Sequence, residues 1–404
     1  ETKRGNTPKS LNPFYMQKLL IKGKKKLSGI IPISGSKNAT LPILAASIFS
    51  QKVKIENVPF VKDVFTMIEL LNFIGLRIKI NKKNNSLQII NKKNVLNSIA
   101  PYKLVKTMRA GVLVLGPLLA RNKKAKVSLP GGCAIGTRPV DLHLFVLKKL
   151  GAKIKIKNGY IHASAKKGLR GCKIKFPSVS VGATENAILA ASQASGKTIL
   201  LNCAIEPEVK DLISFLKKIG CRIISKGRKI EIFGKFKPVE ATYKVMFDRI
   251  EAGTYLIASA IAGSNISLLN IDHKIIRTEL KILKLMGVKI KTFKNKINIL
   301  ESKKIKKIKI TTSPYPGFPT DLQAQIMVLM TKAEGVSIIK ENIFENRFMH
   351  VPELKRMGAK IEIKNNTAYI QGPTNLSGAE VMATDLRASV SLVSAGLIAD
   401  NRTL

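Results

Sequence analysis

The thirteen residues from Leu129 to Asp141 hold three glycines, two prolines and one thiol, Cys133. Such a stretch is a loop that orders on demand rather than a helix or a strand. Lys123, Lys124 and Lys126 precede the thiol, and Arg138 follows it by five positions. Cations near a thiol favour the thiolate, its reactive form. The residues alone leave two readings open, a reactive thiol and a buried structural one.

The arginines are the second candidate set. The chain has 56 lysines and only 14 arginines, so an arginine marks a place where lysine does not suffice. A guanidinium grips carboxylate or phosphate with two parallel bonds, whereas an ammonium is a point charge. Arg109, Arg138, Arg249, Arg347 and Arg387 each stand among Gly, Pro, Asp or Asn. Any one of them reads equally well as a surface ion pair. Together they point to an anionic substrate with several phosphate or carboxylate groups. The rigid run Pro314-Tyr315-Pro316-Gly317-Phe318-Pro319-Thr320-Asp321 ends in a carboxylate. Asp321 is either a helix N-cap before Leu322 or a fixed general base beside a cationic pocket.

Other motifs fail on spacing. Gly196-Lys197-Thr198 resembles the end of a phosphate loop, but Ala191 stands where the first glycine is required. His143, His162, His273 and His350 have no ligand spacing, so no metal site follows and each is expected to be structural. Cys133, Cys172, Cys203 and Cys221 contain no C-x-x-C, which fits a reducing cytoplasm.

Composition bounds the fold that must position these residues. With 404 residues, 45% hydrophobic and 24% charged, the chain is globular and long enough for two or three domains. The net charge of +45 invites a nucleic-acid reading. Lysine is instead spread through nearly every segment, few aromatics interleave with the basic runs, and no specific nucleic-acid partner is expected. Codon bias toward Lys, Asn and Ile is the simpler account. Residues 1–15 are a polar extra leader, expected to be disordered. The longest uncharged stretch, 252–271, is broken by Gly263-Ser264-Asn265, a turn between helix and strand rather than a membrane span.

An apolar-Gly-x-x-apolar pattern recurs with Gly75, Gly151, Gly220, Gly287 and Gly358, about 70 residues apart. Glycine there lets the chain reverse from helix to strand. Between these glycines a small-residue helix leading into a strand begins near Lys37, Thr107, Ala183, Glu251, Gln323 and Arg387. A helix poor in charge on every face is buried on every face. The pattern predicts an α/β chain of six βαβ-type units in two groups of three, with helices inside and sheets around them. The sixth glycine would fall near position 425, so the sixth unit is expected to be incomplete, with its small-residue helix (388–399) but not the following strands.

Seven ordered motifs carry a resemblance to a known family. They are Gly35-Ser36-Lys37-Asn38-Ala39, Val105-Lys106-Thr107-Met108-Arg109-Ala110, the loop 130–141, and Val179-Ser180-Val181-Gly182-Ala183-Thr184. The remaining three are 318–325, Phe344-Glu345-Asn346-Arg347-Phe348-Met349-His350 and Ala383-Thr384-Asp385-Leu386-Arg387-Ala388. From Met16 to Leu404 the chain resembles the UDP-N-acetylglucosamine 1-carboxyvinyltransferase family of enolpyruvyl transferases. The resemblance implies two inside-out α/β barrel domains of three units each, one at 37–246 and the other formed by 16–36 with 247–404. It also implies a cytoplasmic transferase of peptidoglycan synthesis. Such an enzyme moves the enolpyruvyl group of phosphoenolpyruvate to the 3′-hydroxyl of UDP-N-acetylglucosamine and releases phosphate, with no metal or organic cofactor.

By the same resemblance Cys133 is the proton donor and forms a pyruvate adduct, and Asp321 takes the hydroxyl proton. Lys37, Asn38, Arg138 and Arg387 hold phosphoenolpyruvate, with Lys37 and Arg387 also counted as catalytic. Asn38, Arg109, Arg138, Pro139, Val140, Asp141, Leu142, Ser178, Val179, Ser180, Val181, Asp321 and Ile343 match the nucleotide-sugar contacts. Arg249 and Arg347 are supporting arginines. Ser178 stands where some members have lysine, and a late arginine used by the family is expected to lie beyond Leu404. The nearest alternative on the same architecture is 5-enolpyruvylshikimate-3-phosphate synthase; the cysteine loop and 344–350 favour the nucleotide-sugar enzymes.

Overall fold

The structure is a computed structural model, and it describes residues 18–24, 26–91, 95–131, 140–302, 304–383 and 386–404, the side chains of 386–388 excepted. One unit, repeated, builds it. In the first, a buried helix (Lys37–Ala46) leads to a strand (Lys52–Glu56), an outer helix (Lys62–Ile74) and a strand hairpin (Arg77–Asn81, Ser86–Ile90). The same order recurs from Leu115–Asn122, Val181–Ala191, Arg249–Ala262 and Gln323–Met330, and Leu386–Gly396 opens the sixth unit. In the second and fifth units a 3-10 turn (Arg109–Val114 and Thr320–Leu322) precedes the helix. The five repeating glycines all have φ between +90° and +120°, the conformation that reverses the chain after the outer helix.

The two helix types differ in composition for a physical reason. The outer helix Pro207–Lys218 buries Val209, Leu212, Ile213, Phe215 and Leu216, a stripe at helical spacing, while its lysines face water. Every residue of the inner helix Gln323–Met330 is buried, including Gln323 and Gln325. Helices therefore lie inside and separate sheets surround them, with no closed barrel among the described strands.

Each complete unit contributes three strands to a sheet, and a segment from elsewhere in the chain adds a further strand in parallel. Ile99–Ala100 and Lys173–Lys175 do this for the second and third sheets, as Lys309–Thr311 does for the fifth. The first sheet receives its extra strand from Ala241–Lys244, with Tyr243 opposite Ile55. The fourth receives Ser28–Pro32, with Ile30 opposite Ser267. Buried side chains accordingly form two clusters, one within residues 39–245 and one comprising Ile33 and residues 247–399. The sixth unit goes further than expected: Arg402–Thr403 is already a strand, paired antiparallel with Ile21–Lys22. No described helix is long and apolar enough to cross a membrane.

Candidate active site at the inner-helix N-termini

Most of the described candidate residues fall at equivalent places in successive units; Val140, Asp141, Leu142, Ile343 and Arg347 do not. Lys37 and Asn38 open the first inner helix, and Arg109 opens the 3-10 turn that leads into the second. Ser178, Val179, Ser180 and Val181 run into the third, Asp248 and Arg249 start the fourth, and Asp321 lies in the 3-10 turn before the fifth. A helix N-terminus presents unpaired N–H groups and the positive end of the helix dipole, so this end of each unit favours anions. The opposite ends are met by cations. Arg121 donates to the Ile48 carbonyl, and in the equivalent place of the other half Lys332 Nζ donates to the Ile261 carbonyl at 2.7 Å. None of the candidate residues lines the surface cavities of about 390 and 730 Å³, the first of which includes Lys332.

Lys37 sits where the chain passes twice between the halves. Residues 34–36 and 246–248 bridge through Gly35 and Phe247, with Ser36 N–H donating to the Met246 carbonyl and Asp248 N–H to the Ser34 carbonyl, both at 2.8 Å. A Cβ on Gly35 would lie 1.6 Å from the Asn57 carbonyl oxygen, so only glycine fits this crossing. Asp248 caps the fourth inner helix: its Oδ1 accepts from Ile250 and Glu251 N–H at 2.8 and 3.0 Å. Its Oδ2 accepts from Lys37 N–H at 3.1 Å. The Lys37 ammonium is paired with Asp63 at 2.9 Å, and both side chains remain accessible, at 22% and 32%. Asn38 beside it is half-buried.

The first half also carries the candidate nucleotide-sugar residues. Val140 is buried, while Asp141 and Leu142 open the outer helix Asp141–Lys149, exposed and half-buried. Ser178 is exposed, and Val179, Ser180 and Val181 are half-buried. Ser180 Oγ caps its helix by accepting from Ala183 N–H at 3.4 Å. His143, from the outer helix, packs over Gly182 and takes a hydrogen bond at Nδ1 from the Asn186 amide at 3.1 Å. The same amide donates to the Val112 carbonyl, and its oxygen accepts from Gly116 N–H. An acceptor at Nδ1 makes the ring neutral with its proton on Nε2. Burial, reinforced by the Arg109 charge, lowers the His143 pKa to about 3. His143 is thus structural, as read from spacing, and it supports the segment that carries Arg109.

Asp321 is not the N-cap. The 3-10 turn Thr320–Leu322 intervenes, and Leu322 precedes the helix Gln323–Met330 without a side-chain capping bond. Its carboxylate turns instead to Arg347, with Oδ1 2.9 Å from Nη2, and Arg347 Nε donates to the Thr320 carbonyl at 3.4 Å. Arg347 is buried, with its guanidinium 5.8 Å from the centroid of the Phe344 ring. From the other side of the turn, Glu341 accepts from the Thr320 hydroxyl at 2.9 Å. Ile343, two residues after Glu341, is half-buried.

Arg249 supports the halves rather than a pocket wall. Its Nε bonds Glu208 of the first half at 2.9 Å, and its Nη1 is 3.8 Å from Glu279 of the second. Tyr315 lies over the guanidinium, and Tyr315 N–H donates to Glu206 at 3.2 Å. Glu185 is buried nearby, and its pKa is pushed well above the usual range, chiefly by burial and then by the charges of Glu208 and Glu206.

Cys133, Arg138 and Pro139 lie outside the described residues, as does the side chain of Arg387. The sequence reading missed Asp63, Asp248, Glu208, Glu279 and Glu341. One signal could have found them. Acidic residues number only 25 against 70 basic ones, so a carboxylate is as informative here as an arginine. Among the described residues no group of three or more His, Cys, Asp or Glu is arranged to hold a metal ion.

Comparison with known proteins resolves the family. The family model for EPSP synthase (3-phosphoshikimate 1-carboxyvinyltransferase) matches residues 21–404. The UDP-N-acetylglucosamine 1-carboxyvinyltransferase of Pelagibacter ubique is 60% identical over 391 residues, covering 96% of this chain and 93% of that protein. The enzyme of that name from Rickettsia bellii is 54% identical over 392 residues, with the same coverage. Among solved structures, the enolpyruvyl transferase NikO from Streptomyces tendae superposes with a TM-score of 0.85 at 23% identity, covering 95% of this chain and 91% of that one. EPSP synthase from Acinetobacter baumannii gives 0.73 at 20% identity, covering 95% and 92%. The two structures establish the shared two-domain fold. The sequence identities carry the assignment further, and the chain belongs to the UDP-N-acetylglucosamine 1-carboxyvinyltransferase family of enolpyruvyl transferases.

Proposed function

We propose that the protein transfers the enolpyruvyl group of phosphoenolpyruvate to the 3′-hydroxyl of UDP-N-acetylglucosamine with release of phosphate, the first committed step of peptidoglycan synthesis. The observation that carries this reading is the 60% identity along 96% of the chain to an enzyme of that name. The grouping of candidate residues at the anion-favouring ends of the inner helices supports it, because both substrates are anionic.

In the proposed scheme the two halves, 37–246 and 16–36 with 247–404, close on the substrates. Asp321 takes the proton of the 3′-hydroxyl as its oxygen bonds to C2 of phosphoenolpyruvate. Cys133 delivers a proton to the methylene C3, giving a tetrahedral intermediate that still bears phosphate. C3 then loses a proton, the C2–O bond to phosphate breaks, and the enolpyruvyl ether remains. Lys37, Asn38, Arg138 and Arg387 hold the phosphate and carboxylate through charge-assisted bonds. The Lys37 ammonium, paired with Asp63 and only partly buried, is accessible to an anionic substrate that competes for it. Asn38, Arg109, residues 138–142, residues 178–181 and Ile343 receive the nucleotide sugar. A phosphate-release assay tests the reading. Release is expected with UDP-N-acetylglucosamine and not with shikimate 3-phosphate; the reverse preference overturns it.

A further inference from the structure

Glu341 has no part in the scheme above, yet it is 3% exposed and its carboxylate accepts four hydrogen bonds. Oε1 takes the N–H groups of Ile343 at 2.7 Å and Phe344 at 3.2 Å and the Thr312 hydroxyl at 2.9 Å. Oε2 takes the Thr320 hydroxyl at 2.9 Å. Thr312 Oγ1 in turn accepts from Asn342 N–H at 3.0 Å, which closes the segment onto the strand Lys309–Thr311. Glu341 and Arg347 therefore grip the turn before the fifth inner helix from two sides. One holds the Thr320 hydroxyl; the other holds the Thr320 carbonyl and the Asp321 carboxylate. Both belong to the segment that also carries Ile343.

We propose that Glu341 is a positioning residue for the acceptor side of the reaction: it fixes the Asp321 carboxylate relative to Ile343, the two groups that the scheme sets against the nucleotide sugar. The inference rests on the functional reading given above. A carboxylate suits this place because it accepts from four donors and offers none. Without it, two N–H groups and two hydroxyls lose their shared partner, and residues 341–347 are no longer pinned to residues 319–321. A displacement of about 1 Å at a catalytic group costs on the order of 100-fold in rate.

The test is steady-state phosphate release by the full chain, its Glu341→Ala, Glu341→Gln and Thr320→Val variants and the Glu341→Ala/Thr320→Val double variant, with thermal melting alongside. Glu341→Ala is expected to lower kcat by tens to about 100-fold and to raise the KM for UDP-N-acetylglucosamine, leaving that for phosphoenolpyruvate within about twofold. Glu341→Gln is expected to stay near the parent. Its amide oxygen can keep the Ile343 and Phe344 N–H groups, while its NH₂ faces Thr320, whose hydroxyl then accepts. Thr320→Val should give a smaller loss that adds nothing in the Glu341→Ala background. If Glu341→Ala melts below the assay temperature, Thr320→Val carries the test, since it removes a single bond. Parent-like kcat and nucleotide-sugar KM in Glu341→Ala (or in Thr320→Val, where that variant carries the test) overturn the proposal. So does an equal rise in both KM values, or a Glu341→Gln as impaired as Glu341→Ala. An inactive parent overturns the functional reading itself. Calorimetric binding of UDP-N-acetylglucosamine then decides for Glu341, with equal affinity in parent and Glu341→Ala counting against it.

Discussion

The Asp321 carboxylate and the Arg347 guanidinium meet at 2.9 Å, but from unequal positions: the arginine is 4% exposed and the aspartate 28%. The pair therefore breaks asymmetrically. Removing the aspartate leaves a cation with little water to replace its partner, whereas removing the arginine leaves a carboxylate that water reaches. Asp321→Ala is expected to destabilise the fold more than Arg347→Met. Asp321→Asn can still accept from Arg347 and caps no helix, so its melting temperature should stay near the parent's. Its rate should fall by ~10²–10⁴-fold if Asp321 is the base. Turnover at the parent's rate in Asp321→Asn would remove Asp321 from the mechanism.

Arg249 is paired with both Glu208 and Glu279, and all three side chains are below 10% exposure. Arg249→Met leaves two buried carboxylates facing each other, a loss of about 3–5 kcal/mol in comparable buried pairs. The loss should shrink toward pH 5. Burial already raises the Glu279 pKa, and without its cation the carboxyl would hold a proton more readily still. Chemical denaturation at pH 7.5 and pH 5 checks this; a variant midpoint equal to the parent's at both pH values would show that Arg249 carries little stability.

Local features of this fold were legible in the sequence because they are written locally. The glycines at 75, 151, 220, 287 and 358 mark real chain reversals, and the helices poor in charge proved to be the interior ones. Pairings between distant carboxylates and cations were not legible. Lys37 meets Asp63 across 26 residues, between the inner and outer helices of one unit, and Arg249 meets Glu208 across 41, between two units. Of the two readings left open for Asp321, the helix cap fails for a local reason. An aspartate just before a helix usually caps it, but the 3-10 turn places Asp321 too early, and its side chain finds Arg347 instead.

Burial raises the pKa of each of the three described thiols and so disfavours the thiolate. Burial raises the Cys203 and Cys221 pKa values to about 12. Burial also raises Cys172, against a smaller opposing effect of Lys149, and its Sγ donates to the Lys149 carbonyl at 3.3 Å. Limiting alkylation at pH 7.5 should therefore label Cys133 first, and the epoxide fosfomycin should add to the same residue, as the family resemblance implies. Peptide mapping decides the matter, and label on Cys172 ahead of Cys133 would reverse the assignment.

His143 gives the pH dependence its sign. Its pKa is about 3 in the folded chain, pushed down first by burial and then by Arg109, against an ordinary value near 6.5. Above pH 6.5 neither the folded nor the unfolded chain protonates it, and its contribution to stability is fully present. Between pH 6.5 and 3 the unfolded chain binds a proton that the folded chain refuses, so stability falls as pH falls, by about 1.4 kcal/mol per unit. Other groups titrate in this range, and Glu185, raised by burial, works in the opposite sense, losing its contribution as pH rises. The difference between the parent and His143→Gln isolates the histidine, because glutamine keeps an acceptor for Asn186 but does not titrate. Urea denaturation at pH 7.5, 6.5, 5.5 and 4.5 should show the parent losing ground to the variant at each step below pH 6.5. A difference that stays flat across the series would mean that His143 is not held neutral, and that the Asn186 amide does not fix its tautomer.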